Sequence, residues 1–268
     1  MIIDMHVHIG EKVPDKDWKW MYWPGSEPRV QSAEQFIEKM DNCKPRIDMA
    51  LVYADAVVRP THEMYVKDND YVRKMVEKYP DRLIMAPVID VSWGDKAIQE
   101  MHRFFDAGYP IMKLRFTSYR FHANCKAGQK AFAEIEKHEG LPVVHSDWTN
   151  FSNPLVIADL ARMFPDMKMV IQHFGEYMSR DGLSVAKKDD NIYVDTSALA
   201  HPKNVIKFIK EVSPDRIMMA SDTFSIRDGL QPQDALNRIK CLDLSPEHEA
   251  KVFGQNAIAL LKSVGVEL

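Results

Sequence analysis

Five residues of this sequence carry metal-binding side chains and lie in or at the ends of apolar segments. His6 and His8 belong to the first such segment, His145 to the fifth and His173 to the sixth, and Asp222 closes the eighth. Residues two apart on a strand point to the same side, so the imidazoles of His6 and His8 can reach one ion. A lone His-x-His pair is weak evidence for a metal site. Burying an ionisable side chain costs free energy, however, and five such residues in apolar segments are better explained by one shared function than by chance. The set predicts a metal centre, with unrelated core histidines as the alternative.

Eight apolar segments of strand length alternate with stretches that carry helix start and stop signals. The predicted strand ends are 24 to 45 residues apart, close to the ~30 residues of a βαβ unit. The predicted strands span 2–8, 48–53, 83–89, 110–116, 141–146, 167–174, 191–197 and 216–222. This pattern predicts the α/β class and a single (β/α)8 TIM barrel, with residues 1–268 as one domain. Active sites of such barrels lie at the C-terminal ends of the strands, where the five residues would converge.

Helix signals support this arrangement. Ser32 and Gln35 form a capping box, and Asp68 or Asn69 is predicted to begin the second helix. Ser245-Pro246-Glu247 is predicted to begin a C-terminal helical extension that closes the barrel wall. The rival fold is an open doubly wound sheet, but a GxGxxG after the first strand is absent.

Composition excludes several function classes. The chain has 268 residues, with 35 Lys and Arg against 39 Asp and Glu and a formal net charge of −4. Nucleic acid is therefore an unexpected partner. No apolar run approaches the ~18 residues of a membrane span, and the sequence starts without a signal-peptide pattern. The three cysteines are far apart and form no CxxC, which fits a reducing compartment, so we expect a cytoplasmic protein without a membrane partner.

The motifs together resemble a known family. The chain is similar to the amidohydrolase superfamily, in particular to the amidohydrolase-related group that includes aminocarboxymuconate-semialdehyde decarboxylase. The matching segments are Asp4-Met-His6-Val-His8, Val144-His145, Ile171-Gln-His173-Phe-Gly175, Asn191-Ile-Tyr-Val-Asp195-Thr-Ser197, Ala220-Ser221-Asp222 and Phe253-Gly-Gln-Asn256-Ala257. Two features depart from the group: Phe224 stands where a proline often follows Ser-Asp-x, and the chain is shorter than many decarboxylase members.

The resemblance implies a ligand set and catalytic roles. His6, His8, His145 and Asp222 would hold one divalent ion, Zn²⁺ in the first instance and Mn²⁺ as the other candidate. Three imidazoles and a carboxylate suit such an ion, which lowers the pKa of a bound water to ~7. Asp222 would then be the catalytic proton acceptor and His173 the second catalytic residue, which stabilises the attacking water or the oxyanion.

Lys113 admits another arrangement. Lys113 and Arg115 share one face of the fourth predicted strand, which we expect to line the barrel interior. Some superfamily members carry a carboxylated lysine on this strand that bridges two metals, and His173 would then bind the second ion. The alternatives are that Lys113 contacts substrate or pairs with an inner carboxylate such as Asp195.

Several residues suggest how a substrate would be bound. The segment from Glu11 to Val30 follows the first strand and contains Trp18 and Trp23, which we predict to line a substrate pocket, although they could instead pack on the rim or on a partner subunit. Arg115 is predicted to bind substrate and points to a small anionic molecule. Asp4 could orient a ligand imidazole or pair with a basic group.

Three functions remain open at this point. The first is a metal-dependent hydrolase in which an activated water attacks a small amide, lactone or ester. The second is a non-oxidative, metal-dependent decarboxylase of a small unsaturated or aromatic acid. The third is a barrel that binds a metal or ligand without turnover, since a fold alone implies no catalysis. A homodimer is compatible with all three.

Overall fold

The computed structural model describes residues 1–11, 31–54, 59, 61–198, 201–223 and 231–268. Its strands are buried, and neighbours in the sheets pair in parallel. They are β1 (Ile3–His8), β2 (Met49–Tyr53), β3 (Leu83–Met85), β4 (Val88–Ile89), β5 (Ile111–Leu114), β6 (Leu141–Val144), β7 (Met169–Ile171), β8 (Ile192–Asp195) and β9 (Ile217–Met218). The strand residues are apolar, as expected for strands covered on both faces, with the exception of Asp4, His6, His8, Lys113 and Asp195.

The third predicted strand is divided into β3 and β4. The Ala86 amide still donates to the Val52 carbonyl, and the Pro87 carbonyl accepts from the Lys113 amide, so β3 pairs with β2 and β4 with β5. Proline has no amide hydrogen to continue a ladder, which accounts for the interruption at this position.

The two sheets close into a barrel through backbone contacts between β1 and the segment that begins with β9. The Met5 amide donates to the Met219 carbonyl at 3.1 Å, and the Asp222 amide donates to the His6 carbonyl at 2.8 Å. The His8 amide bonds the Thr223 carbonyl at 2.9 Å. Together with the divided third strand, these bonds complete a ring of eight parallel strands, which confirms the predicted TIM barrel.

Helices surround the barrel. They are α1 (Ala33–Asn42), α2 (His62–Lys78), α3 (Asp95–Phe105), α4 (Phe116–Tyr119), α5 (Lys126–Lys137), α6 (Pro154–Met163), α7 (Ser179–Lys188), α8 (Lys203–Glu211), α9 (Pro232–Lys240), α10 (Pro246–Ala250) and α11 (Asn256–Lys262). The capping box of Ser32 and Gln35 is formed at the start of α1. None of the described helices is both long and apolar enough to cross a bilayer.

The C-terminal extension packs against the N-terminal ends of the strands. Asn256 donates from its side chain to the carbonyls of Pro214 and Ile217, both at 2.8 Å. A Cβ atom at Gly254 would lie 2.2 Å from the Met1 carbonyl oxygen, so only glycine allows this close approach. The extension therefore covers one end of the barrel and leaves the C-terminal strand ends for the candidate site.

Candidate active site

Strand β1 and the C-terminal ends of the other strands gather the histidines and Asp222 in one buried region. His6 and His8 lie within β1, and His145 directly follows β6. His173 lies two residues beyond β7 with a φ of 60°, and Asp222 also has a positive φ, of 57°. Such conformations are unusual for residues other than glycine and often occur at functional sites.

Three potential ligand atoms lie close together. The Nε2 atoms of His6 and His8 are 3.3 Å apart. Asp222 Oδ1 lies 2.9 Å from His6 Nε2 and 3.4 Å from His8 Nε2. Ligands about 2.05 Å from a tetrahedral zinc ion are separated by about 3.3 Å, so the spacing fits a divalent ion of this kind.

The other ring nitrogens of His6 and His8 are held by acceptors. His6 Nδ1 lies 3.2 Å from Asp195 Oδ2 and 3.1 Å from Ser197 Oγ, while His8 Nδ1 donates to the Ala54 carbonyl at 3.0 Å. Hydrogen bonds of this kind fix the tautomer and leave the Nε2 lone pair for a metal. This arrangement is further support for the fit of a metal ion to the donor set.

His173 lies beside this group. Its Nδ1 is 3.0 Å from Ser197 Oγ and 4.0 Å from Asp222 Oδ2, and its backbone amide donates to Asp195 Oδ1 at 2.7 Å. Its ring centre is 4.7 Å from that of His6. His6, His173 and Asp222 thus offer ligand atoms within 4.8 Å of one another.

His145 reaches the cluster through His173. His145 Nδ1 lies 2.9 Å from His173 Nε2, and its Nε2 lies 3.2 Å from Asp147 Oδ2. Among the described residues its ring nitrogens therefore contact His173 and Asp147 rather than Asp222. His145 remains a predicted metal ligand. To bind the same ion as His6, His8 and Asp222, it would have to use its Nδ1 atom, or its ring would have to turn.

Burial and neighbouring charges set the protonation states. Burial alone would raise the pKa of Asp222, but His6, His8 and His173 hold it well below the usual value, so this carboxylate is ionised. Burial lowers the pKa of His173 well below that of a free imidazole, and burial with Arg115 lowers the pKa of His145 to about 3. His6 differs: burial alone would lower its pKa, but the attraction of Asp222 together with the hydrogen bonds to Asp195 and Asp222 raises it.

Lys113 is fully buried and contacts uncharged groups. Its Nζ donates to Gln172 Oε1 and lies 4.6 Å from the centre of the Tyr53 ring. Gln172 in turn donates to the Tyr53 hydroxyl at 2.6 Å. The expected pairing with Asp195 is wrong, since no carboxylate of the described residues lies within 4.0 Å of Lys113 and Asp195 is occupied by His6 and Ser197. Burial and Arg115 lower the pKa of Lys113 to about 7.

Arg115 directly follows β5 and is partly buried. Its buried Nε has no hydrogen-bond partner among the described residues. Its positive charge lowers the pKa of both His145 and Lys113, which places the guanidinium near the cluster. Trp18 and Trp23, the other predicted substrate contacts, lie outside the described residues.

Asp4 does not touch an imidazole. Asp4 Oδ1 accepts from the backbone amides of Ser221 at 2.9 Å and His6 at 3.2 Å. Among the described residues Asp4 neither orients a ligand ring nor pairs with a base, so both expectations for it are wrong. Asp4 instead ties β1 to the chain just before Asp222, and its burial raises its pKa to about 6.

A family model confirms the relationship that the motifs suggested. The model described as amidohydrolase matches residues 3–262, nearly the whole chain. The chain belongs to the amidohydrolase family. The expectation of an enzyme, a metal-dependent hydrolase or carboxy-lyase, is confirmed at the level of this family.

Solved structures share the fold of this amidohydrolase at low sequence identity. An uncharacterised TIM-barrel protein from Bordetella bronchiseptica is 18% identical with a TM-score of 0.74, and the match covers 99% of each chain. The 5-carboxyvanillate decarboxylase from Novosphingobium aromaticivorans, complexed with manganese and 4-hydroxy-3-methoxy-5-nitrobenzoic acid, is 16% identical with a TM-score of 0.75, covering 99% of this chain and 96% of that one.

A third structure, 2,6-dihydroxybenzoate decarboxylase from Rhizobium, is 15% identical with a TM-score of 0.72, covering 98% of this chain and 99% of that one. A search of curated proteins finds no significant match. At these identities the structures establish the fold of the amidohydrolase and leave its substrate open.

Sequence reasoning missed the residues that support the histidines of this amidohydrolase. Asp195 and Ser197 hold His6 and His173, Asp147 holds His145, and Gln172 and Tyr53 surround Lys113. One usable signal was the spacing of two: Asp195 and Ser197 are two apart at the end of β8, and Asp147 follows His145 by two. Residues two apart on extended backbone share a side, so both pairs could have been assigned to the barrel interior.

Proposed function

We propose that residues 1–268 form one domain of a metal-dependent hydrolase, which acts on a small anionic amide, lactone or ester. One observation carries this proposal: Asp222, an ionised carboxylate, lies 2.9 Å from His6 Nε2 and borders the neutral His173. Asp222, one of the expected metal ligands, and the neighbouring His173 can therefore each accept a proton. Hydrolysis begins by taking a proton from water, which is the step that such groups assist.

His6, His8 and Asp222 would hold the ion, with His145 as the fourth protein ligand. We propose Zn²⁺, and Mn²⁺ is the other candidate because a structure of similar fold contains it. When bound, such an ion supplies a Lewis acid for a carbonyl oxygen and lowers the pKa of water to ~7. Because His6 and His8 have their Nδ1 atoms occupied, both present Nε2 to this position.

Asp222 would use its two oxygens differently. Oδ1 faces the two imidazoles of β1, whereas Oδ2 points toward His173 and can accept the proton of the attacking water. The same proton then passes from Oδ2 to the leaving nitrogen or oxygen as the bond to the carbonyl carbon breaks. His173 is held by Ser197 and would hydrogen-bond the water or the developing oxyanion.

Arg115 supports the choice of an anionic substrate. A guanidinium whose buried Nε has no partner in the described part of the chain is suited to a carboxylate, since such charge-assisted bonds are strong and directional. Lys113 is more deeply buried than Arg115 and lies over the Tyr53 ring. It would donate a hydrogen bond to a substrate oxygen if the substrate extends that far into the barrel.

A decarboxylase of a small unsaturated or aromatic acid is the second candidate. Arg115 favours it, because a substrate carboxylate would be the reacting group, and so does the likeness to decarboxylase structures. Decarboxylation, however, needs a proton delivered to carbon. Asp222 is ionised and must first take up a proton before it can deliver one; hydrolysis supplies that proton from the attacking water, so we rank decarboxylation second.

The test compares two panels of substrates at equal metal occupancy. Metal-loaded enzyme is assayed on carboxylate-bearing lactones, esters and amides for hydrolysis, and on unsaturated and aromatic acids for CO₂ release. Asp222→Asn should abolish hydrolysis, whereas Asp190→Asn, at a position 98% exposed, should leave it unchanged. CO₂ release without hydrolysis would establish the second candidate, and full hydrolysis by Asp222→Asn would exclude Asp222 as the base.

A further inference from the structure

A second cluster of potential ligands lies in the helical layer outside the barrel. His102 is in the last turn of α3, Glu134 is in α5, and His138 is the residue that caps α5. His102 Nε2 lies 2.6 Å from Glu134 Oε1, and His138 Nε2 lies 3.4 Å from the same oxygen. One ligand atom from each residue falls within 4.8 Å of the other two.

This cluster is separate from the candidate active site. His138 precedes β6 (Leu141–Val144), whereas His145 follows it, so the two sites lie toward opposite ends of the same strand. His102 and His138 are partly exposed, at 42% and 29% of their side-chain area, so the cluster lies at the protein surface. None of the hydrolase or decarboxylase chemistry uses these residues.

An aromatic ring orients the imidazole of His138. The ring of Phe105 stacks on it at a centroid distance of 4.3 Å and an interplanar angle of 5°. Its Nε2 is buried and has no hydrogen-bond partner among the described residues, although it lies close to the Glu134 carboxylate. A buried polar atom left in this state is uncommon, and a bound ion would satisfy it.

Glu134 carries the charge that such an ion needs. A glutamate is ionised at neutral pH, and Glu134 Oε1 lies 2.6 Å from His102 Nε2 and accepts from Lys137 Nζ. Lys137 Nζ lies 3.1 Å from Glu134 Oε1 and is 67% exposed. It is therefore a competing cation that a metal would displace into solvent.

We propose that His102, Glu134 and His138 form a Zn²⁺ site that joins α3 to α5, with the fourth position open to water. Two imidazoles and a carboxylate are a common zinc donor set. Glu134 and His138 are four residues apart at the end of α5, so they share one face and lie one above the other. The separations of 2.6 Å and 3.4 Å bracket the ~3.3 Å of a tetrahedral site, which side-chain rotations can reach.

The experiment is a calorimetric titration of Zn²⁺ into the metal-free chain of residues 1–268. The candidate active site also takes up zinc, so the informative quantity is the difference in stoichiometry between variants. We expect His102→Gln and His138→Gln to bind one equivalent fewer than the wild type, and His248→Gln, a histidine of α10, to match the wild type. Unchanged stoichiometry in both cluster variants would overturn the proposal.

Lys137→Met provides a test of opposite sign. Removing the competing cation should tighten Zn²⁺ binding at this site, because Lys137 would no longer occupy the Glu134 carboxylate. If Glu134 takes no part in binding, the Zn²⁺ affinity should stay the same, and that result would exclude Glu134 as a ligand. If a glutamine variant fails to fold, diethylpyrocarbonate labelling of the wild type replaces it. Zn²⁺ should then protect His102 and His138 from modification, and equal labelling with and without Zn²⁺ would overturn the site.

Discussion

Asp195 Oδ2 lies 3.2 Å from Nδ1 of His6, and both side chains are almost completely buried. The opposite ring nitrogen of His6 lies 2.9 Å from Asp222. His6 is thus held between two carboxylates, one at the end of β8 and one after β9. Asp195 also accepts from Ser197 and from the His173 amide, so a single carboxylate orients two histidines of the cluster.

We expect Asp195→Asn to weaken metal binding at the barrel site by roughly ten- to hundredfold. An amide nitrogen placed opposite His6 Nδ1 favours the tautomer with its hydrogen on Nε2, the atom that must bind the ion. Titration with Mn²⁺, followed by the EPR signal of free Mn²⁺, measures the loss. The exposed Asp190→Asn is the control, and equal affinity in the two variants would show that Asp195 does not orient His6.

Arg115→Gln should weaken the binding of small carboxylates roughly ten- to hundredfold, the usual worth of a hydrogen bond to a charged group. Dissociation constants for a series of aliphatic and aromatic carboxylates can be measured before the substrate is known. Arg120→Gln changes an exposed arginine five residues along and should have no effect. Unaltered carboxylate binding in Arg115→Gln would remove the evidence for an anionic substrate.

Lys113→Met should change how the free energy of unfolding depends on pH. The pKa of Lys113 falls from 10.5 to about 7 on folding, so between these values the unfolded chain holds a proton that the folded chain lacks. Wild-type stability relative to Lys113→Met should therefore rise with pH across this range, by up to about 1.4 kcal/mol per pH unit.

Urea denaturation of both metal-free proteins at several pH values between 7 and 10 provides the measurement for Lys113. Other titrating groups are common to both chains and cancel in the difference. Parallel pH profiles would indicate that Lys113 keeps an ordinary pKa in the folded protein.

Removal of metal should abolish turnover without unfolding the chain. Activity lost on dialysis against a chelator should return with Zn²⁺ or Mn²⁺, while the far-ultraviolet circular dichroism stays constant. The raised pKa of His6 means that protons compete with the ion, so metal affinity should fall as pH decreases. Full activity in demonstrably metal-free protein would contradict the proposed function.

The barrel was predictable because its strands are mostly apolar and regularly spaced along the chain, but local details were not. The sixth predicted strand runs to residue 174, whereas β7 ends at Ile171 because His173, Phe174 and Gly175 adopt left-handed conformations. The second helix begins at His62 and not at Asp68, whose side chain instead pairs with Arg59 at 2.5 Å. Hydrophobic periodicity carries no information on either feature.

The site was partly predictable for a similar reason. Strand ends located His6, His8, His173 and Asp222, because every parallel strand of a barrel ends on one side. The predicted pairing of Asp195 with Lys113 was wrong, since the partner of Asp195 depends on how far β8 is shifted relative to β1 and β5. That register is set by packing around the barrel and is not encoded in any one segment.

The most direct test of the metal centre is an anomalous-difference map, recorded at the absorption edge of the metal, from crystals of protein purified without chelator. We predict a peak bounded by Nε2 of His6, Nε2 of His8 and Oδ1 of Asp222. A second peak within bonding distance of Lys113 would establish the two-metal arrangement instead. Crystals with a bound metal elsewhere and no peak between these three atoms would contradict the account.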